Sequence, residues 1–176
     1  MIWEVFRQEA EDSPHVHCGN VHAPDREMAK QFSVIQHGRR KPTVSLWVAP
    51  QEKVTGVYYG EDTTDTDTDG AEASWEVFRQ DEPGGYHTHC GDVSATDSDS
   101  AKHTALEQFV EDDEPHEFWV VRTQYVGEVN ADQVKFGGTT DKSYRFAQTY
   151  NVTPAAAEVE ASESEQVDAE RRRGDL

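Results

Sequence analysis

A long stretch of this chain occurs twice at a fixed offset, and any fold must find a place for both copies. Trp3-Glu4-Val5-Phe6-Arg7-Gln8, followed by His15-Val16-His17-Cys18-Gly19, returns as Trp75-Glu76-Val77-Phe78-Arg79-Gln80, followed by His87-Thr88-His89-Cys90-Gly91. The offset is 72 residues and still holds between Trp47-Val48 and Trp119-Val120, with no insertion between. A solenoid needs at least about three stacked units to bury a continuous core. Two copies read instead as a dimer fused into one chain.

Each copy carries the same order of elements. Trp, Val and Phe crowd into Ile2–Gln8 in the way that suits a pleated, partly buried strand. Glu9 to Pro14, and more strongly Asp81-Glu82-Pro83-Gly84-Gly85, are turn chemistry, so a second strand returns over His15 to Ala23. Even alternation there places His15, His17, Gly19, Val21 and Ala23 on one face and Val16, Cys18, Asn20 and His22 on the other. Pro24-Asp25-Arg26-Glu27 and Thr96-Asp97-Ser98-Asp99 are helix starts. Met28, Phe32 and Ile35 follow at helical spacing in the first copy, and Ala101, Ala105, Leu106 and Phe109 in the second. Gly38 and Pro42 close the first helix, and an apolar third strand runs through Val44–Ala49, matched by Glu117–Thr123.

The expected fold class is therefore α+β: two tandem strand-strand-helix-strand repeats forming an intrachain pseudo-dimer with antiparallel sheet. A three-stranded sheet with one helix leaves edges and little core, and pairing two of them covers both. The expected organisation is a first repeat over 1–59, an acidic flexible linker over 60–74, a second repeat with a C-terminal extension over 75–153, and a disordered tail over 154–176. The linker holds six acids and no base, and the tail seven acids against Arg171-Arg172-Arg173; such segments cannot bury enough apolar surface to order themselves. The extension carries Phe136, Tyr144, Phe146 and Tyr150 and is expected to pack on the paired core.

Charge narrows the partners. The 35 acidic residues against 16 basic ones give a net charge of -19, which repels nucleic-acid phosphates and anionic lipid. Acids spread over the whole chain also fit a salt-rich source, where ions screen self-repulsion. No apolar run reaches the roughly 20 residues of a membrane span, and the N-terminus lacks a basic leader with an apolar core, so a cytoplasmic location is expected. Cys18 and Cys90 occupy equivalent places in the repeats; two reduced, half-buried thiols are expected ahead of a symmetric bridge.

The sharpest chemical pattern is the repeated His-x-His-Cys-Gly. His15, His17, His87 and His89 have the spacing of imidazole ligands and could make a metal-binding module. The structural alternative is that they hydrogen-bond across the sheet or meet a partner protein. Asp65, Asp67, Asp69, Gly70 and Glu76 match a calcium-loop register, but Glu76 belongs to the duplicated strand and no flanking helices are readable. Nucleophile elbows, phosphate loops and dinucleotide glycine patterns are absent, so no catalytic, cofactor-binding or metal residue is assigned.

Taken together, the residues resemble the PaaB family, the small B subunit of the multicomponent phenylacetyl-CoA ring epoxidase. The resemblance rests on Trp3-Glu4-Val5-Phe6, His15-Val16-His17-Cys18-Gly19-Asn20-Val21-His22-Ala23, Asp25-Arg26-Glu27-Met28-Ala29 and Leu46-Trp47-Val48. The second repeat adds Trp75-Glu76-Val77-Phe78, His87-Thr88-His89-Cys90-Gly91, Phe118-Trp119-Val120-Val121 and Lys142-Ser143-Tyr144-Arg145 with Tyr150, and departs with Ser94 in place of His22. The resemblance implies a non-catalytic bridging subunit without a cofactor of its own. Its implied partners are a catalytic di-iron subunit and that subunit's helical partner, with a reductase component acting indirectly. Family members are usually single-copy chains that dimerise, so the duplication leaves oligomeric state open. A stand-alone acyl-CoA-binding dimeric domain, with a pocket between the repeats lined by Trp47 and Trp119, is the further alternative.

Overall fold

The structure is a computed structural model that describes residues 1–39, 41–63, 70–110 and 114–136. These lie in one compact unit, Met1–Gly138; the second unit, Thr139–Leu176, falls outside the described residues. The expected tail, the extension beyond Phe136 and residues 64–69 of the expected linker are therefore outside as well, and with them Asp65, Asp67 and Asp69.

The first repeat forms β1 (Ile2–Gln8), β2 (Val16–His22), α1 (Arg26–His37), β3 (Ser45–Pro50) and β4 (Thr55–Tyr58); the second forms β5 (Ala73–Gln80), β6 (Thr88–Ala95), α2 (Ser98–Phe109), β7 (Glu117–Arg122) and β8 (Gly127–Asn130). The helix starts are where the capping residues place them. Asp25 accepts from the Met28 N–H and Asp97 from those of Asp99 and Ser100, which satisfies amide groups that a first helical turn leaves open.

All eight strands join one antiparallel sheet in the order β4-β7-β5-β6-β2-β1-β3-β8. The expectation ended each repeat at its third strand; the structure adds a fourth and sends it across. Thr55–Tyr58 of the first repeat pairs with β7 of the second, and Gly127–Asn130 of the second pairs with β3 of the first. The order reads the same from either edge once β1–β4 are exchanged for β5–β8. Strand β5 begins at Ala73, two residues inside the segment expected to be linker.

The sheet cannot be flat. β3 and β4 stand six strand spacings apart, ~29 Å at the usual spacing, while the five residue steps from Pro50 to Thr55 reach only ~17 Å. The sheet must curl until its two ends approach, and the packing shows this. Phe6 on β1 and Phe78 on β5 are three spacings apart, ~14 Å in a flat sheet, yet their rings stack at 4.0 Å.

Curling separates two kinds of core. Outside, Trp3, Val5, Val21, Leu46 and Val48 are buried under α1, and Trp75, Val77, Val93, Phe118 and Val120 under α2. Inside, Phe6, Ala49, Phe78 and Val121 are buried with Trp47 and Trp119 against them. The repeated Trp-Glu-Val-Phe thus alternates as a strand should: Trp and Val face the helix, Phe the interior.

Two details of the expectation are corrected. Val5 pairs with Gly19 but Phe6 with His17, so Cys18 is an extra residue in β2, and Cys90 is its equivalent in β6. This bulge reverses the alternation, and Val21 and Ala23 join the core under α1 while His15 and His17 face inward. Gly19 and Gly91 hold φ of 130° and 152° at these bulges, a region L side chains rarely adopt. Second, Ile35 is 49% exposed; the stripe of α1 that meets the sheet is Ala29 and Ser33, flanked by Met28, Phe32 and Val34. Phe136, from the expected extension, packs on the same core.

Candidate functional site: the histidine seam

The repeats meet along β2 and β6, where one residue pair, Val16 and Thr88, is in register. Two backbone bonds flank it: the His17 N–H donates to the His87 carbonyl and the His89 N–H to that of His15, each at 2.8 Å. The four histidines singled out in the sequence therefore line a single seam, with their rings inside the curled sheet.

Each ring has protein partners. His17 Nε2 lies 2.8 Å from Glu4 Oε2, and His89 Nε2 2.8 Å from Glu76 Oε2. The second oxygen of Glu4 accepts from Gln51 Nε2 at 2.7 Å, and that of Glu76 from Thr123 Oγ1 at 2.9 Å. Both oxygens of each buried carboxylate thus have a hydrogen-bond partner, as buried polar groups require. His15 stacks on Trp47 at 3.9 Å and His87 on Trp119 at 3.6 Å. Burial pushes the His15 imidazole down to about 4, with His89 adding to the effect and Glu76 opposing it. His87 is likewise lowered to about 4, first by burial and then by His17, against the pull of Glu4. Both rings are neutral at pH 7.

The two ends of the seam differ in one exchange. His15 Nε2 lies 3.0 Å from Ser45 Oγ, which donates to Glu128 Oε1 at 3.2 Å. At the other end Glu117 stands at the position equivalent to Ser45. Its Oε2 is 3.3 Å from His87 Nε2, without the geometry of a hydrogen bond, and its Oε1 accepts from Trp119 Nε1 at 3.0 Å. The position equivalent to Glu128 is then Gly56, where a Cβ would sit 2.5 Å from Glu117 Oε1. One carboxylate serves each end, delivered from β8 at one and from β7 at the other.

This geometry gives the metal alternative no support, since Nε2 of His15, His17 and His89 is taken by Ser45, Glu4 and Glu76, and no group of three or more His, Cys, Asp or Glu able to hold an ion occurs among the described residues. Glu76 is likewise committed to His89 rather than to a calcium loop. The expected acyl-CoA pocket between Trp47 and Trp119 is not supported either: a histidine covers each indole. Cys18 and Cys90 are free thiols. Cys90 is exposed as a residue, but its Sγ turns inward to donate to the Val77 carbonyl at 3.4 Å, as Cys18 does to Val5. Burial raises the two thiols to about 11 and about 12, the larger shift at Cys90, so neither is a thiolate at neutral pH. No helix among the described residues is long and apolar enough to cross a membrane.

Sequence reasoning found the histidines and missed their partners. Glu4 and Glu76 carried a signal, an acid repeated inside an otherwise apolar strand; Ser45, Glu117 and Glu128 carried none, because their meeting depends on strand exchange.

Fold and site together define a two-repeat α+β protein whose repeated histidine and glutamate chemistry is spent on holding its own strands together. Comparison with known families gives the class a family: a family model, PaaB, described as phenylacetic acid degradation B, matches residues 1–68 and again residues 72–157. The chain belongs to that family, as a tandem duplication, and so to phenylacetate degradation. Comparison with curated proteins and with solved structures finds no match.

Proposed function

We propose that the chain is a non-catalytic, bridging subunit of a phenylacetyl-CoA epoxidase complex, built as a dimer within one polypeptide and working in the cytoplasm of an organism adapted to high salt. The observation that carries this reading is the family match in both repeats, together with a seam in which His17 and His89 are bonded to Glu4 and Glu76 and His15 to Ser45. Groups so engaged hold a scaffold in shape. Its partners are the catalytic di-iron subunit, that subunit's helical companion and, indirectly, a reductase. On this reading 60–72 is a tether and 154–176 a solvated tail.

Co-expression of the chain with those components tests the proposal. The expected outcome is a complex that retains the chain through purification and loses epoxidation of phenylacetyl-CoA when the chain is omitted. An oxygenase that assembles and turns over at full rate without it would overturn the reading.

A further inference from the structure

We infer that the two repeats have diverged into complementary halves, so that a first repeat pairs with a second repeat in preference to a copy of itself. The inference rests on the reading of the chain as a paired dimer and adds a rule for which halves may pair. It comes from two places where a fourth strand crosses to the other repeat.

The first is the carboxylate exchange at the ends of the seam. In the observed pairing Ser45 meets Glu128 and Glu117 meets Gly56. Two second repeats paired together would bring Glu117 against Glu128 at both ends. A Cβ at the Gly56 position already stands 2.5 Å from Glu117 Oε1, which Trp119 holds in place, and a second carboxylate there adds like charge to overlap. Two first repeats would instead bring Ser45 against Gly56, leaving both ends without an acid.

The second place penalises that other pairing directly. Gly127 at the start of β8 lies beneath the stems of α1 side chains: a Cβ there would be 2.9 Å from Arg26 Cγ, 3.0 Å from Arg26 Cδ and 3.2 Å from Lys30 Cε. Arg26 is held across the repeats by its Nη2 bond to the Gln124 carbonyl at 2.8 Å. The equivalent position in β4 is Thr55, and the residue equivalent to Arg26 is Ser98; the two line one cleft with Trp75 and Tyr125. Large sits over small at one end and small over large at the other. Two first repeats would press Thr55 into Arg26 at both ends. Each like pairing therefore carries its own collision, and the mixed pairing carries neither.

A full chain with a protease site inserted within residues 64–69, cut, unfolded in urea, refolded by dilution and weighed by native mass spectrometry tests this. The expected result is a mixed pair exceeding its statistical share over like pairs by about tenfold or more, the ratio that ~1.4 kcal/mol of discrimination produces. A statistical mixture would leave pairing intact and overturn the complementarity. Fragments that separate would overturn the pairing on which it rests. The uncut chain gives a second measurement that needs no refolding of fragments: Gly56→Glu should lower the urea midpoint, and Glu117→Ser added to it should restore most of the loss. A single variant as stable as the parent, or a double variant no better than the single, would contradict the inference.

Discussion

At the scale of single residues, the seam stores two imidazoles in their neutral form, each stacked on a tryptophan. His15 and His87 are lowered to about 4 in the folded chain, whereas an unfolded chain protonates them near the ordinary value of about 6.5. Between these values the unfolded state binds more protons, so stability falls as pH drops from about 6.5 toward 4. Two such groups give a slope approaching ~2.7 kcal/mol per pH unit, twice the ~1.4 kcal/mol that accompanies one proton. Urea titrations between pH 7 and 5, above the range where most carboxylates protonate, should show the fall. Replacing both histidines by glutamine should flatten it, and a slope left unchanged would show that other groups cause it. That His15 and His17 share a face could be read from the sequence because they are two apart on a strand; that this face turns inward could not. The bulge at Cys18 could not, because strict alternation has no place for an extra residue, and so Val21 and Ala23 were assigned to the wrong face.

At the scale of elements, strands and helices followed from local signals. The repeated Trp-Glu-Val-Phe, the capping aspartates and the apolar run through Leu46-Trp47-Val48 each fix their own segment. The fourth strands did not follow. Thr55-Gly56-Val57-Tyr58 and Gly127-Glu128-Val129-Asn130 are four residues long and carry one buried valine each, and the ladder that makes them strands lies in the other repeat. Helix α1 shows the same division between local and nonlocal information. Its existence was legible, but which residues meet the sheet was not, and Ile35 points outward. A paired comparison checks this assignment. Leu46→Ala in β3, at a fully buried position, should cost about 2–5 kcal/mol, while Ile35→Ala should stay within about 0.5 kcal/mol of the parent. Equal losses at the two sites would mean that α1 packs through a different face.

At the scale of the whole molecule, duplication, charge and assembly meet. The chain carries a net charge of -19, and repulsion among like charges is screened over about 10 Å at 0.1 M salt and about 3 Å at 1 M. Adding potassium chloride from about 0.1 to about 2 M should therefore raise the thermal midpoint by about 2–4 °C, the shift that ~1 kcal/mol produces in a protein of this size; a midpoint that stays flat or falls would argue against adaptation to salt. On the proposed function, the fusion of two repeats would also set the stoichiometry of the assembly. If one chain does the work of a dimer, one chain joins two catalytic heterodimers, and the native mass of the reconstituted epoxidase measures this directly. The account predicts a mass with one copy of this chain for every two catalytic subunits. A complex holding one copy for each catalytic subunit, or none at all, would contradict it.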